Sequence, residues 1–123
     1  MSQRILVVED DPIGQKVVVD FLTARGYRVS SARTGTEGVE KALRMKPDLV
    51  VCDVLLPQKS GFEVCFEIKR APETRDTPFI FMSAVCKDAY SEQYATELKA
   101  QGYFVKPFPL KAMLDRIREL LAA

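Results

Sequence analysis

Four short apolar runs in this chain are each followed directly by residues able to do chemistry. Glu9-Asp10-Asp11 comes after Ile5 to Val8, Asp53 after Leu49 to Cys52, Ser83 after Phe79 to Met82, and Lys106 after Tyr103 to Val105. Gathered in one place, these carboxylates would repel anions and attract a hard divalent cation. Mg²⁺ suits such oxygen donors better than a transition metal, because the chain has no histidine to supply imidazole. A carboxylate nucleophile, a metal, an ammonium and a hydroxyl around one point are what phosphoryl transfer uses, through charge neutralisation and positioning. Taken singly, each residue has a plainer reading. Asp11 serves equally as a helix N-cap, Lys106 as a solvated charge and Ser83 as a turn residue. The functional reading rests on their coincidence.

The elements that must bring them together follow from hydrophobic periodicity. Ile5 to Val8, Arg28 to Ala32, Leu49 to Cys52, Phe79 to Met82 and Tyr103 to Val105 predict five short strands, several without the polar alternation of a half-exposed sheet. Helices are predicted between and after them. The first runs from about Pro12 to Arg25, with proline in its first turn and Gly26 behind it. The second opens on Thr34-Gly35-Thr36-Glu37, a capping-box pattern, and stops before Pro47. The third opens on Ser60-Gly61-Phe62-Glu63 and is bounded by Pro72. A fourth, from about Lys87 to Ala100, carries Tyr90, Tyr94 and Leu98 at helical spacing, which reads as core contact. The fifth lines Leu110, Met113, Leu114, Ile117, Leu120 and Leu121 along one face. Strand and helix alternating five times predict an α/β fold, a doubly wound five-stranded parallel sheet flanked by five helices. In such sheets ligands gather beyond the carboxyl ends of the strands, where all four clusters fall.

Composition narrows the field. The 123 residues are 47% hydrophobic and 28% charged, enough for one domain, 1–123, with its own core. Eighteen basic against 17 acidic residues leave a net charge of +1, which argues against an electrostatic grip on nucleic acid or a membrane surface. No apolar run approaches the roughly 20 residues that span a bilayer, nor does the start look like a cleavable signal, so the expected location is cytoplasmic. The absence of histidine removes Ser-His-Asp and Cys-His catalysis. Cys52, Cys65 and Cys86 form no CxxC pair; Cys52 and Cys65 read as small core hydrophobes.

The residues also carry a resemblance. Ile5-Leu6-Val7-Val8-Glu9-Asp10-Asp11-Pro12, Asp48 to Pro57 with Gly61 beyond it, Phe81-Met82-Ser83-Ala84, and Tyr103-Phe104-Val105-Lys106-Pro107-Phe108 together resemble the receiver domain of two-component response regulators, over essentially the whole chain. The resemblance implies a phosphorylation-activated switch with Asp53 as phosphoacceptor. It implies Asp10 as a direct Mg²⁺ ligand, Glu9 acting on the metal through water, and the Leu55 carbonyl completing the set. Lys106 would pair with the phosphoryl oxygen. Ser83 would move to hydrogen-bond it, Tyr103 would follow inward, and the face of the fourth helix, fifth strand and fifth helix would change. A cis bond before Pro107 is implied too, although trans is the base-rate state. The implied partners are a histidine kinase or histidine phosphotransfer protein as donor, a downstream protein target, and a phosphorylation-dependent homodimer.

Departures and rivals sharpen these expectations. Lys99-Ala100-Gln101-Gly102 lacks the acidic character common before the family's fifth strand. Leu55 and Val85 are aliphatic and could not hold an attacking water, so self-dephosphorylation is expected to be slow. A flavin-binding protein of the same strand pattern would need a phosphate-cradling first loop, which Glu9-Asp10-Asp11 opposes. A phosphatase with an aspartate nucleophile would want a second acid where Leu55 stands. A receiver-shaped module that is never phosphorylated would tend to have lost one of Glu9, Asp10, Asp53, Ser83 or Lys106. The chain ends soon after the fifth helix, so output is expected through binding another protein, unless it is the N-terminal part of a longer regulator. Tyr90, Tyr94 and Tyr103 are the candidate contacts.

Overall fold

The computed structural model describes residues 2–84 and 89–122, without the side chains of 89–92. Five strands, β1 (Arg4–Val8), β2 (Arg28–Ala32), β3 (Leu49–Asp53), β4 (Phe79–Ser83) and β5 (Gly102–Val105), form one parallel sheet in the order β2-β1-β3-β4-β5. The helices are α1 (Pro12–Ala24), α2 (Gly35–Met45), α3 (Gly61–Arg70), α4 (Ala89–Glu97) and α5 (Leu110–Leu121). The strand order reverses direction between β1 and β3, which opens a crevice at their carboxyl ends.

Alternation along the buried strands divides the core in two. Leu6, Val8, Val50, Cys52, Phe79 and Phe81 face α2, α3 and α4, where they meet Val39, Ala42, Val64, Cys65, Ile68 and Ala95. Ile5, Val7, Leu49, Val51, Ile80 and Met82 face α1 and α5, where they meet Val18, Leu22, Met113, Leu114 and Ile117. Burial on both faces explains why β1, β3 and β4 read as unbroken apolar runs. The edge strands differ: β5 is half-buried throughout, and β2 is buried only at Ala32. Each has a neighbour on one side only.

The helix boundaries follow the predicted caps. The side chains of Asp11, Thr34 and Ser60 accept from the amides of Gly14, Glu37 and Glu63. Gly26, at φ 95, takes the left-handed position just beyond α1. In α2 the Glu37 carboxylate accepts from Arg33 N at 2.8 Å, one residue before the cap, so the box closes one step earlier than its simplest form. The fourth helix, Ala89–Glu97, ends short of the expected Ala100, while the expected start at Lys87 lies outside the described residues. Tyr94 is 43% exposed, which corrects its reading as core; its ring meets Phe62 edge-on at 5.0 Å, while Leu98 packs partly against the core. The Tyr90 side chain, Val85 and Cys86 lie outside the described residues. Cys52 and Cys65 are buried and free, as expected, and burial pushes both thiols up, Cys65 to about 12. Among the described residues no helix is long and apolar enough to cross a membrane.

Candidate functional site

The strand register sets the site. Val8 pairs with Cys52 on β3, Asp53 with Met82 on β4, and Ser83 with Val105 on β5, so the residues ending each strand reach the same edge. Glu9 leaves β1 with its amide bonded to Ala32 O at 3.0 Å. Its side chain is 2% exposed, and Asp53 is 5% exposed. Lys106 Nζ bridges the two, 2.5 Å from Glu9 Oε1 and 2.8 Å from Asp53 Oδ2. The other Asp53 oxygen accepts from Leu55 N at 3.1 Å. Ser83 is fully buried, and its carbonyl accepts from Lys106 N at 2.7 Å.

Carboxylate oxygens of Glu9, Asp10 and Asp53 lie within 4.8 Å of one another, with Asp10 on the exposed side. Three carboxylates with one ammonium between them make an edge with excess negative charge. Burial, reinforced by Asp53, pushes the Glu9 carboxyl up to about 7 although Lys106 pulls the other way. Burial works against the Lys106 charge, but its hydrogen bonds and attraction to Asp53 and Glu9 together hold it above the ordinary lysine value. Hard oxygen donors at this spacing, with one open flank at Asp10, fit Mg²⁺ and offer nothing to a softer metal.

Asp11 is not one of those three carboxylates, although its amide donates to Glu9 Oε2 at 3.3 Å. Its side chain caps α1 by accepting from Gly14 N at 2.9 Å, so the plainer of its two readings is what the structure shows. Tyr103 is half-buried on β5, with its ring 6.1 Å from that of Phe81. The Lys106–Pro107 bond is cis.

Two glutamines that brace the sheet, one at the site and one at the opposite edge, escaped sequence reasoning. Gln15 Nε2 donates to Glu9 O at 2.9 Å and Ala32 O at 3.0 Å, clamping the ends of β1 and β2. A glutamine in the first turns of a helix reads as solvated, so no pattern marks it. Gln101 stands just before β5. Its side-chain oxygen accepts from Phe79 N at 2.8 Å and its backbone oxygen from Arg116 Nε at 2.8 Å.

Known proteins match this arrangement. The chain is 36% identical over 96% of its length to the DNA-binding dual master transcriptional regulator RpaA of Synechocystis sp., covering 48% of that protein. It is 37% identical over 98% of its length to the response regulator MprA of Mycobacterium ulcerans, covering 51% of it. The chain thus spans about half the length of the curated relatives it matches. Among solved structures, the chemotaxis response regulator CheY4 of Vibrio cholerae superposes with a TM-score of 0.90 at 26% identity, covering 98% of this chain and 100% of that one. The receiver domain of the sensor histidine kinase PA1611 from Pseudomonas aeruginosa, with a magnesium ion coordinated in its active site cleft, gives 0.90 at 27% identity with 100% of both chains covered. With the model of the response regulator receiver domain matching residues 5–118, the acidic edge, its lysine and the five-stranded sheet beneath them place this chain in the receiver domain family of two-component signalling.

Proposed function

We propose that the chain is a switch that accepts a phosphoryl group on Asp53 from a phosphohistidine and signals by changing the surface around α4, β5 and α5. The observation that carries this reading is the buried Asp53 carboxylate, which shares a single ammonium with a second buried carboxylate beside an exposed third. An Asp53 oxygen attacks phosphorus, the P–N bond breaks, and the imidazole nitrogen leaves with the electron pair, giving an acyl phosphate. Asp10, Asp53, Glu9 and the Leu55 carbonyl would hold Mg²⁺. When bound, it supplies the positive charge that lets a carboxylate meet a phosphoryl group. Lys106 is already within hydrogen-bond reach of Asp53, so it can follow the charge onto the new phosphoryl oxygens.

Modification adds about −1.5 to −2 charge at neutral pH. That charge draws Lys106 and the hydroxyl of Ser83, which ends β4 just before the segment leading to α4. Tyr103, half-buried on β5 with its ring 6.1 Å from that of Phe81 on β4, would then change its packing. The surface around the site supports a protein as the phosphoryl donor. Ile13 is 74% exposed, and a hollow of about 380 Å³ lined by Gly14, Val17, Met82, Pro107, Phe108 and Leu110 adjoins Glu9 and Lys106. Such an apolar apron suits a donor that is itself a protein, a histidine kinase or histidine phosphotransfer protein.

The test is intact mass after incubation with a small acyl phosphate donor, with and without Mg²⁺. One added phosphoryl group, dependent on Mg²⁺, is the expected result. No addition, together with no Mg²⁺ binding in a calorimetric titration, would overturn the reading in favour of an unphosphorylated interaction module.

A further inference from the structure

The loop from Val54 to Ser60 joins β3 to α3 and carries Leu55 beside Asp53. It turns sharply at Pro57-Gln58-Lys59, where Gln58 takes φ 73 and Pro57 O accepts from Lys59 N at 2.9 Å. The same oxygen accepts from Gly35 N at 3.2 Å, so the turn is seated on the first residue of α2. The two backbones approach closely. A Cβ on Gly35 would lie 2.6 Å from Lys59 Cβ, 2.9 Å from its carbonyl carbon, and nearer still to its carbonyl oxygen. These atoms belong to the backbone or are fixed to it, so no change of rotamer relieves the overlap. One partner would have to retreat by about 1 Å to reach ordinary contact.

Between the two, α2 has less room to retreat. Gly38, Val39 and Ala42 are buried against the sheet, and Thr34 caps the helix. The loop is exposed at Leu55, Pro57 and Gln58. Its far end is fixed by Gly61, whose amide donates to Val54 O at 2.7 Å and where a Cβ would strike the backbone of Asp53 and Val54. Between Val54, which Gly61 holds, and the turn seated on Gly35 lie the Leu55 amide, which donates to Asp53 Oδ1, and the Leu55 carbonyl. We infer that Gly35, on a helix that lends no side chain to the acidic edge, is a positioning residue for the Asp53–Gly61 loop and through it for Mg²⁺ binding. The inference rests on the proposed reading of that edge as a Mg²⁺-assisted phosphoacceptor site.

The test compares Gly35→Ala and Gly38→Ala in the whole chain by thermal unfolding, Mg²⁺ calorimetry and amide hydrogen exchange of residues 54–60 in metal-free buffer. For Gly35→Ala the expected result is an unfolding temperature within about 3 °C of the parent. Mg²⁺ affinity falls about tenfold, as when a metal ligand loses its support, and the Lys59 amide exchanges faster. Gly38→Ala, whose Cβ would press first on the Val8 side chain at 3.0 Å, lowers the unfolding temperature and leaves Mg²⁺ affinity alone. Parental Mg²⁺ affinity and loop exchange in Gly35→Ala would overturn the inference. Failure of that variant to fold would do so too, by making Gly35 structural. If the parent binds no Mg²⁺, the reading of the edge fails, and loop exchange alone then decides the role of Gly35.

Discussion

The two edges of the sheet are built from the same materials and end in opposite states. At the amino edge, Arg4 N donates to Asp48 Oδ2 at 2.7 Å, and Arg4 Nη2 to Lys46 O at 3.0 Å. Lys69 Nζ donates to Thr77 O at 2.7 Å, and Gln101 meets Phe79 and Arg116. These side chains bond chiefly to backbone groups, and Lys69 also donates to Gln101 Oε1 at 3.4 Å. At the carboxyl edge, Glu9, Asp10 and Asp53 crowd around Lys106, and the surplus carboxylate charge has no protein cation to answer it among the described residues. Buried polar groups that are matched hold a fold together. Carboxylates crowded around one ammonium cost stability, and such crowding is a feature of functional sites more than of scaffolding.

The largest effect should come from Asp53→Asn. It keeps the size and the acceptor for Leu55 N but removes the nucleophile, so phosphoryl addition by intact mass should vanish entirely. Thermal stability in Mg²⁺-free buffer should hold or rise, because one of the crowded carboxylates is gone. A variant that still takes up one phosphoryl group would move the acceptor elsewhere and dissolve the contrast between the edges. Lys106→Met comes next. It leaves two buried carboxylates facing each other without their shared ammonium, which should cost about 2–3 kcal/mol in metal-free buffer at neutral pH. Added Mg²⁺ should restore part of the loss. Equal destabilisation with and without Mg²⁺, read by urea titration, would mean that Lys106 is scaffolding like its counterparts at the amino edge.

Gln101→Ala sharpens the comparison from the other side. It strands the buried Phe79 amide and removes an acceptor from Lys69, so stability should fall by about 1–3 kcal/mol. Mg²⁺ affinity and phosphoryl uptake per folded molecule should stay at parental values. A change in either would show that the two edges are coupled through β4 and β5.

What was legible in the sequence divides along the same line. Three buried strands and two half-buried edge strands announce themselves because apolar runs bounded by caps and prolines are local signals, and the carboxyl edge is legible because its reactive residues end or closely follow a strand. Position relative to a strand end survives folding. The seat of Gly35 on Lys59 and the clamp made by Gln15 join segments distant in sequence, and their side chains, or the lack of one, carry no period. Tyr94 misled for a related reason. Its helical spacing with Leu98 is that of a core stripe, yet α4 buries only Ala95 fully among its described side chains, and the tyrosine rests on Phe62 at the surface.

The smallest effect concerns protons. Glu9 is pushed from 4.5 up to about 7, chiefly by burial and further by Asp53. Between those values the native, Mg²⁺-free protein keeps a proton that the unfolded chain has released. The unfolded state then binds fewer protons, so stability falls as pH rises through that window. The contribution is fully present below about pH 4.5 and lost above about pH 7. Glu9 shares Lys106 with Asp53, so the amplitude should be on the order of 1–2 kcal/mol rather than what the whole shift would give. Urea unfolding of the metal-free parent and Glu9→Gln between pH 5 and 8 should show a decline in the parent and a flatter profile in the variant. Mg²⁺ should flatten the parent as well, since a divalent cation favours the ionised carboxylate. If metal-free stability instead rose with pH across this window, Lys106 alone would suffice to keep Glu9 charged. The carboxyl edge would then be as well matched as the amino edge, and the contrast between them would fail.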